Sequence, residues 1–172
     1  MRKIVVSDYS NFWPSEFEKE KSLIEHVTKD LPAEIYHIGS TSVRGLAAKP
    51  IIDILLEVSD LDEIDDLNAK FLEIGYVARG ENGIPERRYF EKGGDNRTHQ
   101  IHAFLRNSDN AIRHIAFREY LRSHPKIANE YANLKKRIAQ HCDNNIEKYC
   151  DDKNEFVQYH EKQAVAWYAL NK

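Results

Sequence analysis

A chain of 172 residues has room for one compact domain, or one core with a helical appendage. Its 25 Lys and Arg against 28 Asp and Glu give a formal charge of -3, with no basic stripe of the kind that tracks a phosphate backbone, so extended nucleic-acid binding is disfavoured. The longest apolar run, Ile51 to Val58, holds Asp53 and Glu57 and falls short of the roughly 20 apolar residues that cross a bilayer, and the start of the chain has no signal-peptide pattern; with 2 cysteines, the expectation is a soluble cytoplasmic protein without a disulfide framework.

In chain order, a helix is predicted from near Pro14, with Phe17, Ile24, Val27 and Leu31 close to one face. Glu34 to Ile38 reads as a short strand that stops at the small-residue turn Gly39-Ser40-Thr41-Ser42. Val43 to Ala48 suggests a helical turn. Pro50 then forces extension at Lys49 and opens Ile51 to Val58, a strand apolar enough to be buried on both faces. Leu61, Ile64, Leu67, Phe71 and Leu72 carry helical spacing up to Gly75. Tyr76 to Ala78 is a short strand, Arg79 to Glu86 a loop, and Arg87 to Glu91 with His99 to Leu105 a hairpin. Three helices follow: one through Ile112 to Leu121, one from Pro125, and one from about Asn145 to Trp167. Residues 1–107 are thus expected to form the sheet-bearing core and 108–172 a helical part packed on it, with a cleft along the seam.

Asp53 is the most informative residue, because an ionised carboxylate in an apolar strand is costly unless paired, hydrogen-bonded or bound to metal. Capping a turn or pairing with Lys49 or an arginine would account for it structurally. The Gly-Ser turn before it favours a second reading, in which backbone N–H groups and hydroxyls meet phosphate oxygens while the carboxylate holds a divalent cation. A Walker A loop is excluded: five residues separate Gly39 from Gly45, and Lys49 lies four beyond.

The segments His37-Ile38-Gly39-Ser40-Thr41-Ser42 and Gly45-Leu46-Ala47-Ala48-Lys49-Pro50-Ile51-Ile52-Asp53 resemble the signature of the GrpB family, within the nucleotidyltransferase superfamily. The resemblance runs on through Arg87-Arg88-Tyr89-Phe90, Arg97-Thr98-His99-Gln100-Ile101-His102, Phe117-Arg118-Glu119-Tyr120-Leu121, and Tyr131 with Lys135, so it covers nearly the whole chain. It implies an α+β fold: a nucleotidyltransferase-like mixed β-sheet core with an N-terminal helix and a C-terminal bundle of about three helices.

Two departures bear on activity. Active nucleotidyltransferases usually carry two carboxylates at i and i+2 of the strand, facing one side and sharing two metal ions. Here Asp53 is followed at that spacing by Leu55, and Glu57 lies about 6.6–7 Å further along. The later strand, which usually supplies a third carboxylate, offers His99, Gln100 and His102 instead. Position 44, often Pro in the family, is Arg44, which adds positive charge near the turn. His99 and His102 point to opposite faces of a regular strand, so at most one joins Asp53.

The candidate set is therefore Asp53 as catalytic residue; Gly39, Ser40, Thr41, Ser42, Lys49, Arg87, Arg88, Lys135 and Lys153 for a phosphate or nucleotide; and Asp53 with His102 for a divalent cation, Mg or Mn, with Zn as an alternative because of the imidazole. Each has an ordinary structural counterpart: a packed histidine, a solvated strand arginine, a snorkelling lysine. The aromatics Trp13, Tyr120, Tyr131, Tyr149 and Trp167 read as packing, and Cys142 and Cys150 as structural. Two functions follow, a metal-dependent transfer of a nucleotidyl group from a nucleoside triphosphate to an acceptor the sequence leaves open, and a catalytically reduced module that binds a nucleotide or other phosphorylated small molecule. The helical third is a candidate dimerisation surface.

Overall fold

The structure is a computed structural model that describes residues 4–172. Helix α1 (Phe12–Val27) precedes strand β1 (Ala33–Ile38), a single 3-10 turn (Ser40–Ser42) and strand β2 (Ile52–Val58). Two short helices, α2 (Leu61–Asp65) and α3 (Asn68–Glu73), lead to β3 (Val77–Ala78), β4 (Arg88–Lys92) and β5 (His99–Leu105), and the chain ends in α4 (Asp109–Ser123), α5 (Pro125–His141) and α6 (Ile146–Asn171). The five strands form one mixed sheet in the order β1-β2-β5-β4-β3, antiparallel throughout except for the parallel pair β2 and β5.

Strand alternation divides β2 between two cores. Ile52, Ile54, Leu56 and Val58 pack with Phe17 and Ile24 of α1, Ile64 of α2 and Phe71 of α3. On the opposite face Leu55, fully buried, packs with Ile38, Phe104 and Ala111 of α4. Strand β2 is therefore covered on both sides, which its nearly unbroken apolar sequence requires. Among the described residues no helix is long and apolar enough to cross a membrane.

Two local expectations are revised. The helix expected over 61–75 breaks in two at Asp66 and Leu67, where the Leu67 N–H turns back to Ile64 O at 3.0 Å in a tight i−3 bond. Beside the break, the Asp65 carboxylate is drawn to Arg88 of β4, with Nε to Oδ1 at 2.7 Å. The helical turn expected over 43–48 sits earlier, at Ser40–Ser42, because Ser42 Oγ donates to Gly39 O and fixes the turn there. Gly45, at φ +84°, then stops helical continuation, and Ala48 pairs with Ser7 through two backbone bonds of 2.9 Å.

The C-terminal helices begin where their capping residues place them. Ser108 Oγ accepts from Ala111 N, Asn145 Oδ1 accepts from Lys148 N, and Pro125 occupies the first turn of α5. Helix α4 lies on the Leu55 face of the sheet and packs along α6. Leu121 of α4 and Tyr131 of α5 close a further apolar cluster over Val43, Leu46 and Ala47, while Ile4 packs against Ile138, Cys142 and Tyr149 at the end of the helices.

The burial of Leu55 makes that position intolerant of charge. Leu55→Asp is expected to cost at least about 3 kcal/mol, since it removes apolar contacts and places an unpaired carboxylate against α4; urea unfolding monitored by circular dichroism measures the loss.

Candidate functional site

The parallel register sets Asp53 of β2 opposite Gln100 of β5, and Leu55 opposite His102, all on the α4 side of the sheet. His102 Nε2 meets Asp53 Oδ1 at 3.1 Å, and Arg87 Nη1 approaches His102 Nδ1 at 3.3 Å. A guanidinium can only donate, so Nδ1 is the acceptor and Nε2 carries the proton given to Asp53. With its amide turned to satisfy its neighbours, Gln100 donates from Nε2 to the same Oδ1 at 2.9 Å and accepts from Arg97 Nη1 and the Tyr89 hydroxyl at 3.1 Å. Oxygen Oδ1 is thus held by two donors, each fixed from behind.

Oxygen Oδ2 lies against the turn. Gly39 has φ +73°, and a Cβ added there would stand 2.9 Å from Asp53 Oδ2 and 3.1 Å from Asp53 Cβ. Only glycine gives both the backbone conformation and this close approach. The turn is tied inward by His37 Nε2 to Thr41 Oγ1 at 2.9 Å. From outside, Arg118 Nη1 donates to His37 O at 3.0 Å, and Arg122 donates to Ser42 O from Nη2 at 2.7 Å and from Nε at 3.1 Å. Burial, reinforced by the Arg122 and Arg118 charges and only partly opposed by Asp53, lowers the His37 pKa to about 4.

Between this turn and helices α5 and α6 opens a cavity of about 280 Å³. Ser40, Thr41 and Asp53 form one wall with Gln100, while Lys49, Lys135, Tyr149 and Lys153 face them. Asp53 is the one carboxylate among its lining residues, against three lysines. The Tyr149 ring is fully buried, with Lys49 Nζ 4.8 Å and Lys153 Nζ 5.2 Å from its centroid. Among the described residues its hydroxyl has no hydrogen-bond partner, and burial raises its pKa to about 12, so it remains a proton donor. Burial first, then the charges of Lys153 and Lys49, pulls the Lys135 pKa well below the ordinary lysine value, with Asp53 opposing. For Lys153 burial also disfavours the charge, while Tyr131, Tyr149, Cys150 and Asp53 favour it when they are ionised and shift its pKa above the usual value.

The GrpB protein model matches residues 3–163. The chain belongs to the GrpB family. It is 41% identical over 166 residues to the YqkA protein of Bacillus subtilis, covering 96% of this chain and 48% of that protein, so the chain spans about half the length of that relative. The glutamate-rich protein GrpB of Alkalihalophilus pseudofirmus is 34% identical over 160 residues, covering 90% of this chain and 92% of that one. A crystal structure of the conserved protein GrpB from Enterococcus faecalis superimposes with a TM-score of 0.91 at 42% identity, over 95% of this chain and 99% of that chain. A structure of Cid1, an RNA terminal uridylyl transferase, aligns with a TM-score of 0.50 at 14% identity, over 77% of this chain and 40% of that chain. That likeness gives the fold alone: this family member has a nucleotidyltransferase-like fold.

Within that fold the structure sorts the candidate residues. Ser40, Thr41, Lys49, Asp53, Lys135 and Lys153 come together around the cavity. Gly39 and Ser42 shape the turn without lining it, and His102 stands behind Asp53. Arg87, expected on the phosphates, spends its donors on Glu81 O, Asn82 O and His102. Arg88 is placed elsewhere, on Asp65 in a two-point contact of 2.7 and 3.2 Å. Glu57, the carboxylate two residues past Leu55, accepts from the Asn107 N–H at 3.2 Å.

A two-metal centre needs more carboxylates than this wall provides. Among the described residues no three His, Cys, Asp or Glu side chains converge as a metal-holding group, and the His102 nitrogen nearest Asp53 carries the shared proton. The sequence reading missed the roles of Gln100 and Tyr149. The first is signalled by its register with Asp53, which needs the strand order; the second by nothing in the sequence, since a buried tyrosine reads as packing.

The neutral His37 makes stability pH-dependent in a defined direction. Its folded pKa of about 4 lies below the ordinary 6.5, so the unfolded chain takes up the proton first. The stabilisation is complete above about pH 6.5 and is lost as pH falls toward about 4, to a total of about 3 kcal/mol. His37→Gln is expected to flatten the fall in urea midpoint between pH 7 and pH 4 by a corresponding amount.

Proposed function

We propose that this GrpB-family protein binds a small, multiply charged phosphorylated ligand, a nucleotide or a compound of similar charge, and that it does so without a two-metal centre. The observation that carries this reading is the charge balance of the cavity, in which the ammonium groups of Lys49 and Lys153 outnumber the single carboxylate of Asp53 even with the Lys135 amine left out of the count. A site for two divalent ions has the opposite balance, with carboxylates in excess. In this reading the phosphates lie between the Ser40 and Thr41 turn and the ammonium groups of Lys49 and Lys153, which the buried Tyr149 ring backs. Asp53, fixed by His102 and Gln100, positions the turn through its contact with Gly39.

Nucleotidyl transfer is the second reading, favoured by one feature: Asp53 Oδ2 lies beside the turn, where a single Mg or Mn ion could bridge it to a phosphate. Calorimetric titration with ATP and with inorganic triphosphate, in EDTA and again with Mg or Mn, separates the two. The binding reading expects association in EDTA that weakens with salt, a loss of at least about tenfold in Lys153→Ala, and unchanged or tighter binding in Asp53→Asn, where a repelling charge is gone. Binding that needs the metal and vanishes in Asp53→Asn would overturn it in favour of the transferase.

A further inference from the structure

The Lys135 amine is not accounted for by phosphate binding alone. It is 2% exposed and makes neither a hydrogen bond nor an ion pair among the described residues; its one close partner is the Tyr131 ring, 4.4 Å from Nζ to the centroid. An ammonium kept in such a place for structural reasons would be expected to have a carboxylate or several acceptors around it. Lys135 has instead a cavity on one side and two more lysines, Lys49 and Lys153, on the walls of that cavity. Both neighbours disfavour a third positive charge. An amine desolvated beside another cationic group is the arrangement that makes a lysine nucleophilic.

We propose that Lys135 is a covalent site for carbonyl compounds: its amine forms a Schiff base with the aldehyde or ketone of a small ligand whose phosphate is held by Lys49, Lys153 and the Ser40 turn. The inference rests on the reading of this cavity as a phosphate site. The Nζ lone pair adds to the carbonyl carbon, the carbonyl π pair moves to oxygen, and the proton released by nitrogen neutralises that oxygen to give a carbinolamine. Departure of the hydroxyl as water, with the second nitrogen proton, leaves the C=N bond. Amine and carbonyl give imine and water, with no oxidant or reductant. Only an unprotonated amine can begin this sequence, and the cavity sets Lys135 apart for it: burial and the two lysines on the cavity walls pull it toward the neutral form.

Pyridoxal phosphate, which carries an aldehyde and a phosphate, is the probe. The full chain is mixed with an equimolar amount near neutral pH, the imine is reduced with borohydride, and the product is read by intact mass and peptide mapping. A single adduct on Lys135, suppressed by excess inorganic triphosphate, is expected. Lys135→Arg, which keeps a cation but cannot form the imine, and Lys135→Met, which removes the buried charge, should each lower labelling at least about tenfold while thermal melts show a folded protein. Adducts spread over surface lysines, an adduct on Lys49 or Lys153, or labelling undiminished in both variants would overturn the inference. Lys135 labelling that triphosphate does not suppress upholds the reactive amine and counts against the phosphate reading. Triphosphate binding without a Lys135 adduct does the reverse.

Discussion

A carboxylate set into a strand of isoleucine and leucine is the constraint around which this molecule is arranged. Asp53 is accommodated there because Gln100 and His102 both donate to one of its oxygens, and each donor is itself held: Gln100 by Arg97 and Tyr89, His102 by Arg87. Arg87 is in turn fixed to the carbonyls of Glu81 and Asn82, so the loop before β4 takes part in orienting a residue in the centre of the sheet. None of this would meet without the parallel pairing of β2 and β5, which puts residues some fifty positions apart on one face in matching register.

The same face explains how one fold can present a different electrostatic character. Two residues beyond Asp53, where alternation would place a second carboxylate, Leu55 is sealed under α4 with Phe104 and Ala111. The nearest carboxylate of the right parity, Glu57, is occupied at the far end of the strand with the Asn107 N–H. Lysines from the segment before β2 and from two C-terminal helices meet the Asp53 end instead. That arrangement supports an anion-centred reading of the cavity.

Much of this was legible in the sequence, and the exceptions have specific causes. The strand from Ile52, the turn at Gly39, the hairpin and the three terminal helices follow from apolar period, proline position and capping residues, which act locally. The break at Asp66 and Leu67 was not legible, because the apolar spacing of Leu61, Ile64, Leu67 and Phe71 continues across it while Asp65 is drawn to Arg88 from another part of the chain. For the site, the family resemblance brings Ser40, Thr41, Lys49 and Asp53 forward together, with Lys135 beside Tyr131, and Lys153 falls near a helix face shared with Tyr149, Phe156 and Val157, where a solvated charge is not expected. Arg87 and Arg88 alternate on a strand, which says that their sides differ and not what waits on either side: a histidine and two carbonyls for one, an aspartate for the other. Tyr149 shows the limit most plainly, since whether a buried phenol has a partner depends on neighbours from several elements.

Arg118 and Arg122 reach from α4 to the carbonyls of His37 and Ser42, about eighty residues earlier in the chain. These contacts clamp the main chain on both flanks of the glycine-serine turn, where no side-chain choice within the turn could do so. The mouth of the cavity is consequently shaped by a helix that contributes no residue to its lining. Through these bonds the segment most exposed to drift in the sequence of α4 is the turn itself: a change in the length or reach of either arginine would alter the cavity while leaving every residue that lines it untouched.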